Sequence, residues 1–92
     1  MAVLQSQASP GSNEFKANRK AHEKAIAEME AAAQAAFAGG GAKARERHTK
    51  RGKLLPRDRI ARLLDRESPF LEVGLFAAHA MYEGASPSAG II

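Results

Sequence analysis

Ninety-two residues allow one small domain at most, and a net charge of +4 over 14 Lys/Arg and 10 Asp/Glu is modest for such a chain. Cysteine is absent, which excludes disulfides and thiolate-bound metals. No apolar run approaches the ~20 residues that a membrane-spanning helix needs, and the first fifteen residues lack the charged and apolar regions of a secretory signal, so a cytoplasmic location is expected. The hydrophobic fraction of 45% overstates the core, because 20 of the residues it counts are Ala. The bulky ones fall late, in Leu54–Leu64 and Phe70–Tyr82. The first 53 residues hold too few of them to fold as a globule without a neighbour.

Residues 1–12 read as a polar leader that ends in the breaker set Ser9-Pro10-Gly11. Ser12 or Asn13 can cap a helix, with Glu14 in its first turn where the helix dipole favours an anion. Residues 13–38 are rich in Ala, Glu, Lys and Met, all strong helix formers. Phe15, His22, Ile26, Met29, Ala33 and Phe37 fall on one stripe, so the segment reads as an amphipathic helix that docks on a neighbour. A membrane-surface helix is the weaker alternative, since an Ala-rich stripe buries little area. Gly39-Gly40-Gly41 ends the helix, and residues 39–42 form a glycine joint. No Lys-Ser/Thr pair follows at the spacing a phosphate-cradling P-loop needs, which favours the joint.

Charge is concentrated from Lys43 to Arg59. Lys43, Arg45, Arg47, Lys50, Arg51, Lys53, Arg57 and Arg59 face only Glu46 and Asp58 there. The rest of the chain is therefore net acidic, and the basicity is local, pointing to a particular anionic partner or a particular surface. Lys43–Thr49 reads as a short charged helix, interrupted at Lys50-Arg51-Gly52-Lys53. Pro56 suits the first turn of another helix, where its absent N–H costs nothing. In that helix Ile60, Leu63 and Leu64 share an apolar face, Arg57, Arg59, Arg62 and Arg66 project elsewhere, and Asp58 pairs with Arg62. Phe70–Val73 has strand character. Leu75–Tyr82 can be helical or extended, and Ala89–Ile92 reads as the opening of a buried strand. An apolar strand opening with no partner leads us to expect a piece of a larger protein.

The chain holds no catalytic or metal-binding constellation. His22, His48 and His79 have no ligand spacing, and no Gly-x-Ser-x-Gly elbow occurs. Arg51-Gly52-Lys53 offers two cations and a close-approach backbone at a turn, a reasonable place for a phosphate. Nucleic acid is a weaker candidate, because no aromatic is interleaved with the basic run for base stacking.

The order of segments carries more information than their composition. Lys43–His48 (KARERH), Arg51–Leu54 (RGKL), Pro56–Ile60 (PRDRI), Leu63–Asp65 (LLD) and Ser68–Glu72 (SPFLE) resemble the beginning of the carboxyltransferase (beta) subunit of biotin-dependent acyl-CoA carboxylases. The likeness spans about residues 39–92. Phe76-Ala77-Ala78-His79 and Ala89-Gly90-Ile91-Ile92 lean towards the methylcrotonyl-CoA branch, with the propionyl-CoA and geranyl-CoA branches as near alternatives. The resemblance implies that residues 43–92 begin a crotonase-like α/β carboxyltransferase domain. This part of it should be mostly α, with a long N-terminal helix, short basic helices and one or two short strands. It also implies transfer of a carboxyl group from carboxybiotin to 3-methylcrotonyl-CoA in leucine degradation. Biotin is then carried by a partner alpha subunit with the biotin carboxylase and carrier parts, other beta subunits complete a large oligomer, and nucleic acid and membrane are not partners. Arg51, Gly52 and Lys53 become candidate CoA-binding residues, with a salt-bridged structural turn as the alternative. The family's oxyanion-hole loops lie beyond the matched stretch, so the chain alone is expected to be inactive. The rival reading is a small basic helical module that binds RNA or another polyanion.

Overall fold

The computed structural model describes residues 1–92, which fall into two compact units, Met1–Glu30 and Ala31–Ile92. The chain is mostly helical: α1 runs Asn13–Ala38, α2 Ala42–Lys50 and α3 Pro56–Leu63. Two short 3-10 turns, Met81–Gly84 and Pro87–Gly90, follow.

In the first unit, Ser12 rather than Asn13 supplies the cap. Its Oγ accepts from the Phe15 N–H at 3.1 Å, while its carbonyl accepts from Lys16 at 3.1 Å. That pairing satisfies one of the donors a helix start leaves orphaned. The Arg19–Glu23 and Lys24–Glu28 pairs, at 2.8 and 3.9 Å, brace the exposed surface of the helix. The Glu23 carboxylate accepts a hydrogen bond from Arg19 and holds its pKa above the ordinary value. Both pairs are solvated, so neither adds much to stability. Ile26 and Met29, on the apolar stripe, remain about half exposed.

In the second unit, α1 ends where Gly39 turns to φ +78° and its N–H returns to the Ala36 carbonyl at 3.0 Å. A residue with a Cβ adopts that backbone poorly, which is why glycine terminates the helix here. Thr49 donates its hydroxyl to the Arg45 and Glu46 carbonyls, both at 3.1 Å, and α2 closes at the next residue. Pro56 occupies the first turn of α3.

Four expectations are corrected. Phe70–Val73 forms no strand, and the chain contains none. Strand propensity expresses itself only against a partner with free backbone groups, and none lies alongside. Ala89–Ile92 likewise opens no buried strand: Gly90 closes a 3-10 turn, and only Ile91 takes extended angles, 72% exposed. Asp58 and Arg62 make no ion pair, and Arg57, expected to project away from the apolar face, turns inward instead.

From Gly74 onward the chain folds as successive tight turns. Bonds run from Ala77 to Gly74, from His79 to Phe76 and from Met81 to Ala78, each N–H to a carbonyl three residues back. Ala78, Ala80, Tyr82, Glu83, Ser88 and Ala89 take positive φ, so no turn extends into a helix. Only Ala36 and Ser88 are buried. Sixteen bulky apolar side chains are exposed, so this sequence does not enclose their core.

Candidate functional site

The best-connected side chain of the Ala31–Ile92 unit is Arg57, on the first turn of α3. Its Nε donates to Glu72 Oε2 at 3.1 Å, and its Nη2 donates to Glu72 Oε1, making a fork-to-fork pair. Nη1 donates to the Ala36 carbonyl at 2.9 Å, and Nη2 also reaches Ser88 Oγ at 3.3 Å. The guanidinium carbon sits 5.3 Å from the centre of the Phe37 ring. Ser88 passes the connection on, donating its hydroxyl to the Leu75 carbonyl at 2.9 Å. One guanidinium thus joins α3, the C-terminal end of α1, the Glu72 segment and the final turn. The chemistry is apt, because helix ends expose carbonyls with partial negative charge, and Arg presents its donors in a rigid planar fork. The side chains of Arg57 and Glu72 are 23% and 9% exposed, so the pair is largely withdrawn from water.

A sequence signal for this clamp existed. Arg57, Ile60 and Leu64 stand at i, i+3 and i+7, one face of a helix, and Glu72 is the sole acid within the apolar Phe70–Phe76 stretch. Placing Arg57 off the apolar face, with Arg59, Arg62 and Arg66, concealed it.

The predicted phosphate-binding residues lie elsewhere. Arg51, Gly52 and Lys53 are exposed on the turn between α2 and α3. Gly52 takes φ +73° and donates its N–H to the Thr49 carbonyl at 2.9 Å. Neither Arg51 nor Lys53 forms an ion pair. Arg51 shares a shallow cleft of about 300 Å3 with Lys43, Glu46, Arg47 and Lys50. Lys50 is paired with Glu46 at 2.7 Å, which leaves Lys43, Arg47 and Arg51 as unpaired cations. His48 tethers the far side of α2, donating from Nε2 to the Leu54 carbonyl at 2.9 Å.

His22 is exposed, and His79 is exposed with its ring edge-on to Phe76 at 6.4 Å. Every carboxylate except Glu72 is exposed, and Arg57 holds Glu72. No three His, Asp or Glu side chains gather as a metal site, and no helix is long and apolar enough to cross a membrane.

Known proteins place this arrangement in context. No family model matches the chain. It is 54% identical over 71 residues to the biotin-dependent 3-methylcrotonyl-coenzyme A carboxylase beta1 subunit of Mycobacterium tuberculosis, covering 77% of this chain and 13% of that protein. It is 43% identical over 91 residues to a probable mitochondrial methylcrotonoyl-CoA carboxylase beta chain of Drosophila melanogaster, covering 98% of this chain and 16% of the relative. The mitochondrial methylcrotonoyl-CoA carboxylase beta chain of Arabidopsis thaliana is 46% identical over 81 residues, or 88% of this chain and 14% of the relative. The likeness thus runs through most of the chain, while the chain spans less than a fifth of each relative. On that similarity, the chain belongs, as a segment, to the family of methylcrotonoyl-CoA carboxylase beta subunits.

Proposed function

We propose that the chain is a structural segment of a carboxyltransferase subunit that moves a carboxyl group from carboxybiotin to 3-methylcrotonyl-CoA in leucine degradation. The 54% identity over 71 residues to a subunit of that name carries the reading. In it, the subunit has a crotonase-like fold, works in the cytoplasm of a bacterium, and assembles with its own copies and with an alpha subunit. Biotin supplies the carboxyl group and is carried by that alpha partner. Propionyl-CoA and geranyl-CoA are the alternative substrates. No chemical step falls to residues of this segment, since its one withdrawn carboxylate is held by Arg57 and its histidines are exposed or bound to backbone and ring. The 92-residue chain mixed with a biotinylated alpha subunit is therefore inactive, and measurable carboxylation of 3-methylcrotonyl-CoA by that mixture overturns the assignment.

Its contribution to substrate binding is electrostatic. CoA carries roughly four negative charges on its phosphates, and an exposed cationic turn raises their local concentration. Arg51 and Lys53 form no ion pair, and Gly52 lets the backbone approach closely. Replacing the aligned residues of a full-length relative by Glu at both positions should raise KM for the acyl-CoA by about fivefold and leave kcat unchanged. An unchanged KM removes Arg51, Gly52 and Lys53 from the CoA site.

A second reading draws on the three unpaired cations Lys43, Arg47 and Arg51, which suit a polyanion such as RNA. Retention on a polyanion column that falls steeply with salt supports it. Absence of retention at low salt ends it.

A further inference from the structure

The Ala31–Ile92 unit carries a groove of about 750 Å3. Two independent features mark it as incomplete. Its walls include Phe37, Leu55, Ile60, Leu63, Ile91 and Ile92, and four of these six are among the exposed bulky side chains. Arg45 also lines it, and Arg45 Nε is shut off from solvent with no hydrogen-bond partner. A buried N–H left unpaired forfeits its water bond without replacement, and native proteins seldom keep one.

We propose that this groove seats another stretch of the beta-subunit polypeptide, whose apolar side chains cover Phe37, Ile60 and Ile91 and whose backbone or carboxylate oxygen accepts from Arg45 Nε. The inference rests on the reading of the chain as a beta-subunit segment. Length argues for this occupant: the chain aligns with only 13 to 17% of each relative, so most of that polypeptide lies outside the aligned stretch. The polar groups of the groove argue against a small charged ligand, which needs several convergent free partners. Arg57 is committed to Glu72 and Ser88 to the Leu75 carbonyl. Asp58 and Arg59 also line the groove, but they are exposed and opposite in charge, so the one buried polar atom left without a partner is Arg45 Nε, which a covering segment of protein can satisfy.

The experiment compares hydrogen exchange in two full-length settings and in the 92-residue chain. The first setting is the Drosophila relative carrying this chain in place of its 91 aligned residues. The second is that relative unaltered, read at the aligned positions, which keeps the test valid if the chimera fails to fold. Amides of residues 55–63 and 86–92 should exchange at least about tenfold more slowly in the full-length proteins than in the isolated chain. Arg45→Met gives a signature that a merely structural arginine does not. It should speed exchange around the groove by about tenfold in the chimera, where the bond to the covering oxygen is lost. In the isolated chain it should leave exchange unchanged or slower, because an unpaired N–H is removed. Protection confined to the Ile26–Met29 stripe, with the groove unprotected, overturns the groove and leaves the beta-subunit reading standing. No added protection anywhere overturns both.

Discussion

Replacing Arg57 by Met removes the one side chain that joins four parts of the Ala31–Ile92 unit. The lost interactions are the bidentate pair with Glu72, the bond to the Ala36 carbonyl, the contact with Ser88 Oγ and the approach to the Phe37 ring. The largest cost is not the lost attraction but the stranded partner. Glu72 is 9% exposed, and a carboxylate left so nearly dry without its cation costs about 3–5 kcal/mol. Arg57 itself is 23% exposed, so water reaches part of the pair and the lower end, about 3 kcal/mol, is the better figure. At about 1.4 kcal/mol per factor of ten, that is roughly a hundredfold change in local opening. Amide exchange reads it directly at Ala89, whose N–H donates to the Ala77 carbonyl, and at Ile91, which donates to Ser88. Both should exchange roughly a hundredfold faster in Arg57→Met, while Phe15 and Lys16 in the other unit stay unchanged. The double variant Arg57→Met with Glu72→Met should recover much of the loss, because an apolar pair leaves no charge unpaired. Exchange at Ala89 within a factor of two of the parent, or a double variant as poor as the sum of the singles, refutes the clamp.

Three further outcomes follow from single contacts. Ser12→Ala deletes the cap that accepts from Phe15, and should weaken the first turn of α1 by about 1 kcal/mol, visible as lost helical ellipticity and faster exchange at Phe15. Gly52→Ala meets no neighbour within 4 Å but must hold φ +73°, so its cost is backbone strain alone, about 1–2 kcal/mol, read as faster exchange of the Gly52-position amide that bonds Thr49. His48→Ala removes the 2.9 Å bond to the Leu54 carbonyl and should cost about 1 kcal/mol, seen as faster exchange around Leu54–Leu55; His48→Gln, which can still donate, should recover part of it.

Residues whose structure depends on their sequence neighbours were legible, and residues whose structure depends on distant partners were not. The helical character of α1 follows from its composition and from Ser12, and α3 starts at Pro56 for a local steric reason. The Phe70–Val73 expectation failed because a strand is a relation between two segments, and propensity reports only one. The turns from Gly74 to Gly90 were legible only in part: Gly74, Gly84, Ser86 and Pro87 are turn formers, but nothing in residues 75–82 marks the turns found there. Alanines at 78, 80 and 89 stand at positive φ, where sequence rules expect glycine or asparagine.

The basic run makes Arg51, Gly52 and Lys53 conspicuous in sequence, because their charge is exposed. The arginine that organises this unit belongs to the same run, at Arg57, but is distinguished only by an acid 15 residues on and by carbonyls 20 and 21 residues back. A segment of turns with unfavourable backbone angles persists only if something outside it over-determines the conformation. Here Arg57 holds the segment at Glu72, and holds Ser88, which in turn holds Leu75. The basic stretch therefore divides by function. Lys43, Arg47, Arg51 and Lys53 remain free to meet an anion, whereas Arg57 is spent within the fold, and charge reversal at Arg57 should disrupt structure where charge reversal at Arg51 and Lys53 should alter only ligand affinity.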